Sequence, residues 1–324
     1  MLGAIVGDIV GSIYEFDNHK SKDFEFFGEK CSFTDDTVHT IAVAEWFLDR
    51  DAGGPGLANR LVHWSKKYPH CSYGGMFQQW LSGREYEGKY QPYNSYGNGS
   101  AMRVSPVVWM GGDPVEDAKK SAEVTHSHSE GIKGAQAVAL AIYVARLEAF
   151  SPKEIAKEVY STYNYDVYEK VDKIREWYKF DETCKGTVPQ AMSCTLQATG
   201  FEDAIRNAIS IGGDSDTVAA IAGSIAEAIF GIPDDIRDKA LTYLPDEMID
   251  IVNRVSKQVK PIKATAIDHL RVKIIEGGVR PSLGGLKAME EQVKSHFGTD
   301  PIDWPNDDEI VNFLVKHYYG RFGG

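Results

Sequence analysis

Apolar positions along the chain recur at helical spacing, and sustained period-two alternation is nearly absent. Residues 1–16 read as a helix rich in small residues, with Gly3, Gly7 and Gly11 on one face and Glu15 at its end. Glycine costs helix propensity, so this face predicts close helix packing. After a polar loop at 17–33, a helix is expected from residue 34 to about Arg50, ended by Gly53-Gly54-Pro55-Gly56. Further helices are expected over 57–68, 74–82, 115–125, 129–149, 152–161, 166–178, 187–198, 201–210, 215–230, 233–243 and 246–259. The fold class is therefore all-α. Residues 260–324 have a different texture: Gly277-Gly278, Pro281 and Gly284-Gly285 interrupt them. A last helix is expected there, capped by Asn306 or Asp307 and running through Ile310, Phe313 and Leu314 to Tyr319. The expected division is a main domain at 1–259 and a C-terminal extension or small subdomain at 260–324.

Composition adds limits. With 43% hydrophobic and 25% charged residues, the chain has the balance of an ordinary globular protein. A net charge of −12 argues against a nucleic-acid backbone as main partner, since such binding relies on Lys and Arg neutralising phosphates. Cys31, Cys71, Cys184 and Cys194 form no C-x-x-C pair and no disulfide framework, which points to a reducing compartment and a cytoplasmic protein. The apolar start, Met1 to Gly7, lacks a basic leader and is interrupted by Asp8, so it reads as a core helix; no uncharged run is long enough to span a membrane.

Two stretches echo each other: Thr34-Asp35-Asp36-Thr37 and Gly213-Asp214-Ser215-Asp216-Thr217. Each opens a long apolar helix. Taken alone, either is ordinary N-capping chemistry, because Thr, Asp and Ser accept from the first free N–H groups and acids suit the helix dipole. Each nevertheless carries one carboxylate more than a cap requires. The helices that follow are apolar nearly all round, as buried helices are. Like charges about 4 Å apart repel by about 4 kcal/mol at an effective dielectric near 20, a cost that cations remove. An all-oxygen donor set selects Mg²⁺, Mn²⁺ or Ca²⁺ over Zn²⁺, and four carboxylates with two threonine hydroxyls suit a pair of ions. His39, four residues beyond Asp35, reads as a core histidine or as a partner behind such ligands.

Read in order, Gly3-x-x-x-Gly7-Asp8 with Glu15-Phe16, Thr34-Asp35-Asp36-Thr37, Gly97-Asn98-Gly99-Ser100-Ala101-Met102-Arg103, Thr125-His126-Ser127-His128 and Gly212-Gly213-Asp214-Ser215-Asp216-Thr217 resemble the ADP-ribosylglycohydrolases over about residues 1–255. The resemblance implies a compact orthogonal multi-helix bundle and two divalent metal ions, Mg²⁺ or Mn²⁺. It implies Thr34, Asp35, Asp36, Asp214, Asp216 and Thr217 as ligands, with Glu15, Asp36 and Asp216 as the catalytic groups. Gly97, Asn98, Gly99, Ser100, Met102 and His126 match positions that receive the distal ribose and diphosphate. The expected partner is an ADP-ribosylated substrate, foremost a protein side chain such as arginine. Two other readings stay open: another ADP-ribose conjugate as substrate, or an inactive binding or structural member of the fold. The tyrosines of loop 86–96 read equally well as an adenine platform and as an ordinary surface loop.

Overall fold

A computed structural model describes residues 1–54, 56–83, 90–147, 151–259 and 283–297, with residues 309, 310, 312–314 and 316. The helices are α1 (Leu2–Gly11), α2 (Asp35–Asp49), α3 (Leu57–Lys67), α4 (Gly75–Ser82), α5 (Gly99–Met102), α6 (Ser105–Trp109), α7 (Glu116–Glu123) and α8 (Ser129–Ala145). They continue with α9 (Pro152–Tyr163), α10 (Val171–Trp177), α11 (Cys184–Leu196), α12 (Phe201–Ser210), α13 (Ser215–Phe230), α14 (Asp234–Leu241), α15 (Asp246–Gln258) and α16 (Leu283–Phe297). Among the described residues there is no strand; a single antiparallel bridge joins Gly97 to Thr183. The all-α class is as the apolar pattern indicated.

The centre is the pair α1 and α13. α1 buries every residue from Gly3 to Gly11, and α13 every residue from Ser215 to Ala226. The glycine face makes this possible. A Cβ at Gly7 would lie 2.0 Å from the Ala219 carbonyl oxygen, and one at Gly11 would lie 2.6 Å from Asp216 Cα. The two backbones therefore touch, and a side chain at either position would force them apart. Around this pair pack α11 and α12 against α13, and α2 against α1, α3, α6 and α15.

Most expected boundaries fall within two residues of the observed ones, with several exceptions. α1 ends at Gly11 and passes into a 3-10 turn at Ser12–Tyr14, where the pattern ran to residue 16, and α8 ends at Ala145 where it ran to 149. α16 spans Gly284 and Gly285, which read as interruptions in the sequence. α11 begins one turn earlier than its pattern implied, at Thr183, whose hydroxyl accepts from the Gly186 N–H at 3.0 Å. Pro189 lies inside this helix, where proline usually marks a first turn. α10 is shorter than expected, because Asn164 in a left-handed conformation ends α9 and leaves 164–170 extended or turned. The apolar segment before Met110 folds into the short helices α5 and α6. In the C-terminal extension, residues 309, 310, 312–314 and 316 are helical as expected, and Ile310 and Leu314 are buried; Asn306, Asp307 and Tyr319 lie outside the described residues.

Candidate active site and candidate metal centre

Both acidic stretches arrive at one cleft of about 330 Å³, which lies within the size range of small-molecule sites. The first is positioned by capping. Thr34 is the N-cap of α2, and its hydroxyl accepts from the Asp36 N–H at 3.3 Å. It is also held from below by Asp8 of α1, whose carboxylate accepts from Thr34 N–H (2.9 Å), Thr34 Oγ1 (2.6 Å), Thr37 N–H (3.1 Å) and Thr37 Oγ1. Four donors converge on one carboxylate, three on Oδ2 and one on Oδ1. Asp8 was not among the sequence candidates. The signal was present, since an acid in the middle of an otherwise apolar, buried helix needs partners.

The second stretch is positioned by backbone shape. Gly212 and Gly213 both adopt positive φ, +71° and +79°, a region open to glycine at little cost. They turn the chain into α13 with Asp214 at the N-cap, where it makes no side-chain capping bond. Asp214 accepts instead from Asn98 Nδ2 at 2.6 Å, and Gly213 N–H donates to Asn18 Oδ1 at 3.3 Å. Lys20 donates to the carbonyls of Tyr178, at 2.7 Å, and Ile211. The segment following Glu15 is thus fastened to the turn that presents Asp214.

The stretches meet where Thr217 Oγ1 donates to Asp36 Oδ2 at 3.0 Å. Carboxylate oxygens of Asp8, Asp36 and Asp216 lie within 4.8 Å of one another, and so do those of Glu15, Asp214 and Asp216. Asp216 belongs to both groups. Among the described residues none of these five, nor Asp35, is in a salt bridge.

Electrostatics follow. Burial, then the neighbouring carboxylates, raises Asp35, Asp36 and Asp216 well above the ordinary carboxylate range. Asp214 is raised by burial, and its bond from Asn98 opposes the shift. Burial pushes Asp8 up to about 6, against its four hydrogen bonds. Glu15 is pushed up to about 7 by burial and by the charges of Asp214, Asp8 and Glu182. A cluster of this kind holds protons or cations. Asp36 Oδ1 is buried without a hydrogen-bond partner. That orphaned oxygen, together with an all-oxygen donor set, fits a hard divalent cation.

The remaining walls come from the loop before α5 and from α4. Gly97, Asn98, Gly99 and Met102 line the cleft, with His126, Glu182 and Thr183. The Gly97–Thr183 bridge, with Asn98 N–H donating to the Glu182 carbonyl at 2.8 Å, fixes this wall. Ser100 is turned away: its hydroxyl donates to the Gly131 carbonyl at 2.7 Å, and it does not line the cleft. Thr34 also sits behind the lining, on Asp8, whereas Thr217 faces the cleft. His39 lines it, with Nε2 3.3 Å from Ser65 Oγ and Nδ1 without a hydrogen-bond partner. It is thus neither a fully satisfied core histidine nor a direct neighbour of the carboxylates. Of the tyrosines, Tyr93 and Tyr96 line the cleft, Tyr90 packs 4.8 Å from Trp80, and Tyr86 lies outside the described residues. Phe77, Met76, Arg103 and Glu182 are lining residues that the sequence reading did not single out as site residues.

With this geometry in view, the profile of the ADP-ribosylglycohydrolase family matches residues 1–263. The chain belongs to the ADP-ribosylglycohydrolase family. Curated relatives include the ADP-ribosylhydrolase ARH3 of Bos taurus, 27% identical over 311 residues, covering 72% of this chain and 84% of the relative. The ARH3 of Mus musculus is 29% identical over 308 residues, covering 72% and 83%. The ADP-ribosylarginine hydrolase Tri1 of Pseudomonas putida (strain GB-1) is 26% identical over 261 residues, covering 72% and 70%. A solved ADP-ribosylglycohydrolase-related protein complex superposes with a TM-score of 0.60 at 21% identity, over 80% of this chain and 96% of the other, a likeness of fold. This ADP-ribosylglycohydrolase is a glycosidic-bond hydrolase, as its family is. Among its described residues no helix is long and apolar enough to cross a membrane.

Proposed function

We propose that this ADP-ribosylglycohydrolase is a divalent-metal-dependent enzyme that cleaves the bond between C1 of the distal ribose of an ADP-ribosyl group and its acceptor, foremost a protein side chain such as arginine. The observation that carries the reading is the convergence of both acidic stretches on one cleft, with Asp216 common to the two carboxylate groups. That sharing supports two ions, Mg²⁺ or Mn²⁺, held by Asp35, Asp36, Asp214, Asp216 and Thr217, with Thr34 behind. When bound, such ions supply Lewis acidity toward the ribose hydroxyls and an activated water.

The chain's own groups do the rest. Glu15, at the half-buried edge of the acidic cluster, is pushed up to about 7 in the metal-free protein, and is the carboxyl there that can carry a proton. It is placed to give that proton to the leaving acceptor as the C1 bond breaks, and to recover one from the attacking water. Asp36 and Asp216 orient the charge at the centre. Gly97, Asn98, Gly99, Met102 and His126 would bind the distal ribose and diphosphate. At Gly99 a Cβ would stand 3.1 Å from His126 Nε2, a tight contact that would crowd this wall. Ser100 contributes by fixing this loop on α8. Among the described residues of the tyrosine loop, Tyr93 and Tyr96 reach the ligand space.

The arginine acceptor draws support from the relative named an ADP-ribosylarginine hydrolase, and the ARH3 relatives keep other acceptors in play. The activity is assigned to residues 1–259, an assignment supported by the extent of the family match. Four free cysteines support a reducing compartment, the cytoplasm. The deciding experiment offers arginine-, serine- and nucleic-acid-linked ADP-ribose with Mg²⁺ or Mn²⁺. Release from the arginine conjugate is expected. Release from none of them, with metal bound, identifies an inactive member of the fold.

A further inference from the structure

Arg103 is the largest fully buried side chain among the described residues, at 0% exposure. A buried charge normally faces a carboxylate, yet among the described residues Arg103 makes no salt bridge. Its Nη2 donates to the Ser121 carbonyl at 3.0 Å and to Thr125 Oγ1 at 2.8 Å, and Nε and Nη1 have no hydrogen-bond partner. Such an arrangement stabilises little and has to be explained by what its bonds arrange.

Thr125 Oγ1 also lies 2.7 Å from His126 Nδ1. A guanidinium only donates, so the Thr125 oxygen accepts from Arg103; the Tyr93 hydroxyl, also hydrogen-bonded to Thr125, can donate to the second lone pair, which leaves the single hydroxyl proton for the ring nitrogen. The backbone holds the pair in register: both Thr125 and His126 N–H groups donate to the Ala122 carbonyl, at 3.1 and 2.7 Å. On the other side of the ring, Nε2 points at the glycine loop. A Cβ at Gly99 would be 3.1 Å from Nε2, and one at Gly97 would be 3.6 Å away.

We propose that Arg103 and Thr125 form a positioning relay that fixes His126 as its Nε2–H tautomer and presents one neutral N–H donor to the cleft between Gly97 and Gly99. The relay itself needs only the distances above; the identity of the oxygen that accepts from Nε2, a ribose or diphosphate oxygen, rests on the ADP-ribose reading. Burial, then the charge of Arg103, holds His126 well below its ordinary pKa, which keeps the ring neutral. Neutrality matters in this cleft. An imidazolium would compete with cations for the acidic cluster, whereas a neutral ring with its donor fixed recognises an oxygen and leaves the carboxylates alone.

The test uses ¹⁵N-histidine-labelled protein and two-bond ¹H–¹⁵N correlation spectra, which distinguish the tautomers without any substrate. The wild type is expected to show His126 with Nε2 protonated and Nδ1 bare. Thr125→Val should lose that preference, and Thr125→Ser, which keeps the hydroxyl, should retain it. ADP-ribose, added as the probe, should shift the His126 resonances. Its Kd should rise about tenfold in Thr125→Val and recover in Thr125→Ser, the size expected for one hydrogen bond to a charged oxygen. A protonated Nδ1 in the wild type, or an unchanged Nε2–H tautomer in folded Thr125→Val, overturns the relay. The wild-type spectrum decides even where the valine variant does not fold. The expected tautomers with no His126 response to ADP-ribose would uphold the relay and sink the ligand assignment instead.

Discussion

The two acidic stretches have nearly the same composition and reach the same cleft, but they are built by different means. Thr34–Thr37 is held by side chains: a threonine cap and the four hydrogen bonds that enter Asp8. Gly213–Thr217 is held by backbone: two left-handed glycines, an N-cap aspartate that caps nothing, and tethers from Asn98 and Asn18. The difference shows how a buried anionic centre can be assembled with no salt bridge to its carboxylates among the described residues. One half is fixed by four donors gathered on a carboxylate beneath it. The other is fixed by a turn that only glycine adopts cheaply, which leaves the Asp214 carboxylate turned to the cleft and not to its own helix, while Asp216 Oδ1 accepts from the Thr217 N–H at 2.9 Å.

The comparison can be broken first at the residue common to both carboxylate groups. Asp216→Asn is expected to lower kcat/KM on the order of 10³-fold, the several kcal/mol a Lewis-acid centre contributes, with helicity by circular dichroism unchanged. Asp36→Asn should match it. Full turnover in either variant would remove the two-ion reading. Next comes the support of the first stretch. Asp8→Asn offers fewer acceptor sites where four donors converge, and should cost about 2 kcal/mol or more in denaturant unfolding with Mg²⁺ saturating.

A pH series tests both stretches at once. In metal-free protein Asp8 is pushed up to about 6 and Glu15 up to about 7, from ordinary values near 4. The folded state therefore keeps protons that the unfolded chain has already released. The contribution of these two groups is greatest below about pH 4, falls as pH rises from there through about 6 to 7, and levels off above that. Thermal melts from about pH 5 to pH 7.5 should show a declining Tm, and saturating Mg²⁺ or Mn²⁺ should flatten the decline. A rising Tm in metal-free protein would contradict the electrostatics described here. The smallest effect is expected at the second stretch's outer tether. Asn18→Ala removes one hydrogen bond to Gly213 N–H and should cost about 1 kcal/mol or less.

Much of this was legible in the residues, and the reasons are local. Val218 to Ala226 is apolar on every face, so burial of its N-terminus followed, and with it the surplus of carboxylate over capping. Gly3, Gly7 and Gly11 at helical spacing announced a close helix contact, though not which helix would supply it. What pattern alone did not carry was long-range. Asp8 takes its role from residues 26 and 29 positions away. Ser100 shares a loop with Asn98 yet points at α8, because a four-residue helix turns its side chains in different directions. Arg103 ended a recognised stretch, but its bonds to Ser121 and Thr125 depend on how α7 lies against α5. α11 begins at Cys184, ahead of its expected start at 187, because Thr183 caps it and a capping threonine is set by the local hydrogen bond and not by the apolar spacing.

The contact between α1 and α13 has one more consequence. At Gly7 and Gly11 the separation of the two helices is set by main chain resting on main chain, with no side chain between them. Asp8 hangs from one of these backbones and Asp216 from the other. The width of the anionic centre is therefore a gauge cut into the scaffold: the gap across which the carboxylates face one another is set by main chain against main chain, and not by the fit of side chains elsewhere in the core.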